Sequence, residues 1–347
     1  MQILRGAIVC MALVASSAGG LAAQKTDTVV LRNGDRITGE IKQLSRGRLE
    51  YSTDDIGRIY IEWKTIARVT SPSYFEVELS SGKKYYGLLA APPADGQLIV
   101  RIEREDTLPI GHVVAIVPIS NRVVDRLKAY LDVGFTLAKA NWARTLSLSG
   151  EVAYRGPKAG ISSSFDTYSQ SQEDVANTTR STVGINGEYY VANRWKYLLL
   201  TTFEHNDELG LDLRVTLGGG VGRPFVQTNS NELAFETTLV GTREQFTDLA
   251  DTSTAKWNLE GRFAVTWDAF RYDRPKLDLS VDLTVFPSIT TLGRVRTDLG
   301  TRVRYELFKD FTVGLDFTDS FDNQPPEATA STNDFVTTFT IGWSYRR

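Results

Sequence analysis

From Leu127 to the C-terminus the chain alternates apolar and polar residues in runs of roughly ten, each closed by turn residues, and twelve such runs can be counted. They are Tyr130–Ala138, Thr145–Tyr154, Ile161–Ser169, Ser181–Val191, Lys196–Asn206, Leu211–Val221, Glu232–Gly241, Trp257–Asp268, Leu277–Phe286, Arg294–Tyr305, Phe311–Asp319 and Phe335–Tyr345. A period of two predicts β-strands, because successive side chains point to opposite faces of the pleat. Trp257–Asp268 is the sharpest case: Trp257, Leu259, Gly261, Phe263, Val265 and Trp267 share one face, and Asn258, Glu260, Arg262, Ala264, Thr266 and Asp268 the other.

Alternation alone also fits a soluble sandwich, so two further patterns decide. Connections after odd runs are long, as in Gln170–Arg180, Thr242–Lys256 and Ser320–Asp334, whereas Ala192–Arg194 and Glu306–Asp310 follow even runs and are short. Aromatic residues gather at the run ends, with Tyr154, Tyr189, Tyr197, Trp267, Tyr305, Phe311, Trp343 and Tyr345 at the short-connection end. Phe203, Trp257, Phe286, Phe317 and Phe335 form the second girdle. Together these predict a twelve-stranded antiparallel transmembrane β-barrel over 127–347, with both termini on the short-turn side.

Ahead of the barrel lies a repeat. VVLRNGDRITGEI from Val29 and VELSSGKKYYGLL from Val77 match with Leu31, Gly34 and Gly39 opposite Leu79, Gly82 and Gly87, an offset of 48. Trp63, Ile66 and Val69 match Ile110, Val113 and Ile116 at an offset of 47. Asn33-Gly34 between alternating segments is a strong hairpin signal. Each unit, 26–71 and 73–119, therefore predicts a small curled barrel that resembles the SH3-like or Sm-like class, a fold that by itself specifies no function. The fold class is thus all-β throughout.

Composition narrows the chemistry. The 347 residues carry 39 Lys+Arg against 42 Asp+Glu, so there is no basic footprint, and nucleic acid is not an expected partner. One Cys, two His and two Met exclude structural zinc, haem, iron–sulfur clusters and disulfide frameworks, and no cofactor is expected. A mean hydropathy of −0.20 argues against a bundle of membrane helices but leaves a barrel open. Residues 1–23 read as an export signal, with Arg5, an apolar run from Gly6 to Ala15, and a small-residue stretch at Gly20–Ala23. Cys10 falls inside it, behind Ile8 and Val9, which does not fit a lipidation site.

The segment GEYYVANRWKYLLLTTFEHNDELGLDLRVTLGGGVGRPF, from Gly187 to Phe225, and the terminal FVTTFTIGWSYRR resemble the YdiY-like salt-induced outer-membrane proteins, a family without an established function. Thr340, Gly342 and Tyr345 also look like the assembly signal of bacterial barrels, although Arg347 stands where an aromatic is usual. The resemblance implies the outer membrane as location, its bilayer and the barrel-assembly machinery as partners, and a periplasmic N-terminal part. That part has peptidoglycan, another envelope protein or the barrel mouth as its candidate partner.

The polar face of the barrel carries both signs of charge: Glu204, Asp212, Glu260, Asp278, Asp282 and Asp298 against Arg214, Arg262, Arg294, Arg296, Arg302 and Arg304, joined by Glu151, Glu188, Glu236 and Asp316. The leading expectation is a lumen plugged by cross-strand ion pairs, Asp278 with Arg302 among them. A narrow polar pore is the alternative. An outer-membrane lipid hydrolase is a second alternative, but it needs a nucleophile beside a histidine, and His205, the only barrel histidine, has Asp207 and no serine nearby. No catalytic or metal-binding residue is assigned.

Overall fold

The computed structural model describes residues 26–119, 123, 126–138, 143–172, 175–207, 211–246, 256–324 and 332–343. The expected export signal and Tyr345 lie outside them. Among the described residues no helix is long and apolar enough to cross a membrane.

The N-terminal part contains β1 (Asp27–Leu31), β2 (Arg36–Ser45), β3 (Arg48–Ser52), β4 (Arg58–Glu62), β5 (Ile66–Leu79), β6 (Lys84–Ala90), β7 (Gln97–Arg101), β8 (Glu105–Pro109) and β9 (Val113–Pro118). The first half of β5 pairs with β1, and its second half pairs with β6 and β9. One strand of 14 residues thus serves both pairings. The short 3-10 turns Trp63–Thr65 and Ile110–His112 occupy equivalent places, and Trp63 Nε1 donates to the Ile110 carbonyl at 2.7 Å. Trp63, Tyr51, Phe75, Leu44 and Ile116 belong to one buried cluster, so β1 to β9 share a single apolar core.

One polar group is built into that core. Asp27 accepts from the Ile41 amide at 2.7 Å and from the Ser71 hydroxyl, while its own carbonyl accepts from Tyr51 Oη at 2.6 Å. Burial raises the Asp27 carboxyl above its ordinary value, with the Ile41 and Ser71 bonds opposing. Burial likewise pushes up the Tyr51 phenol. Both shifts reflect the cost of holding charge away from water.

The remainder is one antiparallel sheet of 12 strands in chain order, β10 to β21. These are β10 (Leu127–Ala138), β11 (Ala143–Arg155), β12 (Ala159–Gln172), β13 (Val175–Tyr190), β14 (Lys196–Asn206) and β15 (Leu211–Gln227). They continue with β16 (Asn231–Phe246), β17 (Lys256–Arg271), β18 (Leu277–Pro287), β19 (Val295–Phe308), β20 (Phe311–Asp322) and β21 (Asn333–Trp343). The sheet curls, since side chains from β11 through β18 line one cavity. β10 and β21 stand at its two ends, and no ladder joins them among the described residues.

Three expectations are corrected. Most of Gln170–Arg180 is strand: β12 extends to Gln172 and β13 begins at Val175, with a bulge at Gln170/Gln172. Its Ser, Thr and Gln residues lack apolar alternation yet still pair through their backbones. Asp278 faces Arg304, and Arg302 faces Ser280, because Pro287 still pairs with Val295 before the chain reverses over 288–294. Such a register depends on turn geometry rather than on the alternation. Phe286 belongs to no girdle, because it lines the cavity beneath the Arg296 guanidinium, 4.7 Å from its ring centre.

Candidate functional site

Register fixes which side chains face the cavity. On β13 through β20 these are the even-numbered residues, which carries Glu188, Lys196, Glu204, Arg214, Glu236, Glu260, Arg262, Arg296, Arg302, Arg304 and Asp316 to the inner face. The opposite face is apolar and exposed, with Tyr197, Leu199, Leu217, Leu239, Phe263, Trp267 and Trp343 among its residues.

Most inner charges are paired. Arg214 bridges Glu204 and Glu244, both at 2.8 Å. Arg296 meets Glu260 at 2.6 Å, and Arg294 grips Asp322 at 2.6 Å. Arg302 and Arg304 converge on Asp316 at 3.1 and 2.5 Å. Glu236 is shared by Lys196 at 3.0 Å and Arg262 at 3.4 Å, and Lys196 also holds Glu188 at 2.7 Å. The Lys196–Glu236 bridge skips a strand, β15, and the reason is local. Inward-facing Gly222 lies beneath it, where a Cβ would stand 3.1 Å from both Glu236 Cγ and Lys196 Cε. Gly218 plays the same part under Leu200 and Val240.

Other expected members stand apart from these pairs. Asp298 accepts from the Ser320 hydroxyl at 3.0 Å, and Asp282 has no ion pair among the described residues. Asp212 is exposed beside the Leu211/Leu213 bulge, and its backbone oxygen meets His205 Nδ1 at 2.9 Å. His205 Nε2 lies 3.0 Å from Asp207. Both ring nitrogens are therefore engaged, with no hydroxyl nucleophile bonded to either among the described residues. Thr340 and Gly342 lie on β21 opposite Gly314 and Thr312. No cluster of three or more potential metal ligands occurs among the described residues.

The short connections carry a second constellation that the sequence did not signal: they hold the N-terminal part. In the β2–β3 turn, Arg46 and Gly47 both adopt positive φ, 48° and 65°, a conformation that suits a tight hairpin. The turn aims Arg46 at Asp268 (3.1 Å), Asp278 (3.5 Å) and the ring of Phe270 (4.7 Å). Arg48 lies over Tyr272 at 4.2 Å, and Lys64 meets Asp273 at 2.7 Å. The Lys64 bond is the main reason the Asp273 carboxyl sits below its ordinary value.

The turn between β5 and β6 is held in reverse, by the sheet reaching out. Arg194, also at positive φ, donates to Glu78 at 2.5 Å, to the Leu79 carbonyl at 2.7 Å and to the Ser80 carbonyl at 3.2 Å. Between these two grips, Asn229 Nδ2 donates to the Val113 carbonyl at 2.9 Å and the Gly111 carbonyl at 3.3 Å. Apart from Lys128 at the start of β10, whose ammonium donates to Gln43 Oε1 at 3.1 Å, these anchors lie on a connection after β13, β15 or β17, or at a strand end beside one. The N-terminal part therefore caps the short-connection mouth of the sheet.

A family model described as "Protein of unknown function, DUF481" matches residues 131–345. No curated protein matches the chain.

Proposed function

The chain belongs to the DUF481 family of proteins of unknown function, and from that premise we propose that it is an outer-membrane β-barrel whose lumen is filled by its own charge pairs and whose periplasmic mouth is covered by its N-terminal part. The observation that carries this reading is the outer face of β10–β21. Leu199 and Leu217 are each 57 % exposed and Trp257 is 71 % exposed, in a band far larger than a soluble monomer leaves in water. Lipid is the solvent that such a face fits, and the charged opposite face fits a lumen. Closure would come from β10 pairing with β21, which removes the last sheet edge, as a bilayer demands.

The even strand number puts both termini on one side, and an export signal would put that side in the periplasm. The resemblance of Gly187–Phe225 to the YdiY-like salt-induced proteins fits an envelope role. With its mouth covered and most of its inner charges paired, the barrel serves as an envelope element rather than an open channel, and no catalysis is assigned to His205. The cavity of about 680 Å³ favours one other reading, a narrow polar pore.

Fractionation and conductance test the proposal together. The full chain should sediment with outer membranes, migrate faster on gels before boiling than after, and give no steady conductance in planar bilayers. Steady conductance would favour the pore, and a soluble periplasmic chain would overturn both readings.

A further inference from the structure

The cavity on the inner face has a composition of its own. Small inward residues line part of it, Gly160 and Ser162 on β12, while Gly218 on β15 lets Leu200 and Val240 close over it and form the facing wall. Leu198, Leu200 and Val240 give one side an apolar lining, whereas Glu188 and Glu236 are already neutralised by Lys196 and Arg262. Two charges of the wall have no ion pair among the described residues, Glu151 and Arg155. They sit on the same face of β11, four residues apart, so their Cα atoms are about 13 Å from each other at roughly 3.3 Å per residue. Arg155 is steadied over the Tyr190 ring at 5.2 Å. Thr238, 3 % exposed, is also in the wall, and its Oγ1 makes no hydrogen bond in the structure. A buried hydroxyl left so is a costly group.

We propose that this cavity is a binding site for a small zwitterion of the short-peptide class, its ammonium at Glu151 and its carboxylate at Arg155. The match is one of charge and of length. A carboxylate and a guanidinium without an ion pair among the described residues both line the space, and two or three residues at about 3.5 Å each span what lies between them. A guanidinium suits the carboxylate end because its fork accepts a planar two-oxygen group. The apolar wall takes short side chains, and a volume of about 680 Å³ falls within the usual range of small-ligand cavities, about 300–1,000 Å³. The site rests on the proposed closed barrel, since only closure makes the inner face a chamber.

Calorimetric titration of the full chain in detergent with alanyl-alanine tests the assignment. Its N-acetyl form, its C-terminal amide and sucrose serve as comparisons. Alanyl-alanine should bind, and each blocked form should bind at least tenfold more weakly. Glu151→Gln should abolish the preference over the acetylated form, and Arg155→Gln the preference over the amide. Absence of binding, equal binding of the blocked forms or of sucrose, or variants that keep both preferences would overturn the proposal. Heat-dependent gel migration of the same samples reports barrel closure independently, so a closed barrel that ignores the dipeptide sinks this site alone.

Discussion

The Arg194 guanidinium is 9 % exposed and makes three hydrogen bonds to the Glu78–Ser80 turn. Truncating it leaves the Glu78 carboxylate only the longer Lys84 contact at 3.8 Å, a loss on the order of 1.5–3 kcal/mol for a hydrogen bond to a charged group. Arg194→Ala should therefore raise hydrogen exchange at the amides of Leu79 and Gly82, and Arg194→Lys should rescue little, because an ammonium cannot serve a carboxylate and two carbonyls with one planar fork. Unchanged exchange in both variants would refute the grip. None of this was legible in the sequence. Arg194 reads there as an ordinary turn residue, and its partners lie more than 100 positions away. Asn193 and Arg194 take positive φ without being glycine, a feature the residue names do not announce.

Single strands were the most legible level, because a period of two is a local property that pairing only extends. Facing follows from it and can be tested. Phe263→Arg on β17 should cost about 2–4 kcal/mol near a bilayer midplane, whereas Thr318→Arg, inward and exposed on β20, should cost less. Urea titration in vesicles gives the comparison, and equal costs would contradict the facing. Register was less legible: the Asp278–Arg304 pairing is set by how 288–294 turns, and no alternation encodes that. The two sheet ends offer a further test. The only cysteine is Cys10, so in a Cys10→Ser background cysteines replacing Asp132 on β10 and either Thr338 or Thr340 on β21 should form a disulfide if those strands meet. Failure of both pairs to oxidise would leave the sheet open.

At the scale of the whole molecule, the cap makes the orientation testable. Protease added to intact cells should cut 247–255 or 325–331 before it reaches Thr26–Ile119, and the reverse order would invert the topology. Acid should act on the docking selectively. Asp273 is held below its ordinary value of 3.8, so its contribution is present above that value and lost as pH falls through the docked-state value. Asp27 has the opposite sign: its carboxyl is raised by burial, so protonation relieves a strain inside the cap instead of adding one. Energy transfer between labels at Asp54 and Asp310 should fall below about pH 4 by this linkage while the cap keeps its far-ultraviolet dichroism. Transfer constant down to pH 2 would count against an ionic latch.

The spacing of the docking contacts along the chain implies an order of events. Arg194 and Ser80 are 114 positions apart and Arg46 and Asp268 are 222 apart, whereas no strand pairing within the cap spans more than the 72 positions from Leu44 to Ile116. Closing long loops costs entropy that local pairing avoids, so the cap is complete first and must wait for β13 to β18. When it docks, Arg46 and Lys64 need Asp268, Asp278 and Asp273 at fixed heights around one turn. A sheet whose β17–β18 hairpin has slipped by two residues offers those carboxylates in the wrong places and cannot satisfy both. Docking thereby acts as a proofreading step on strand register, carried out by the part of the chain that was made first.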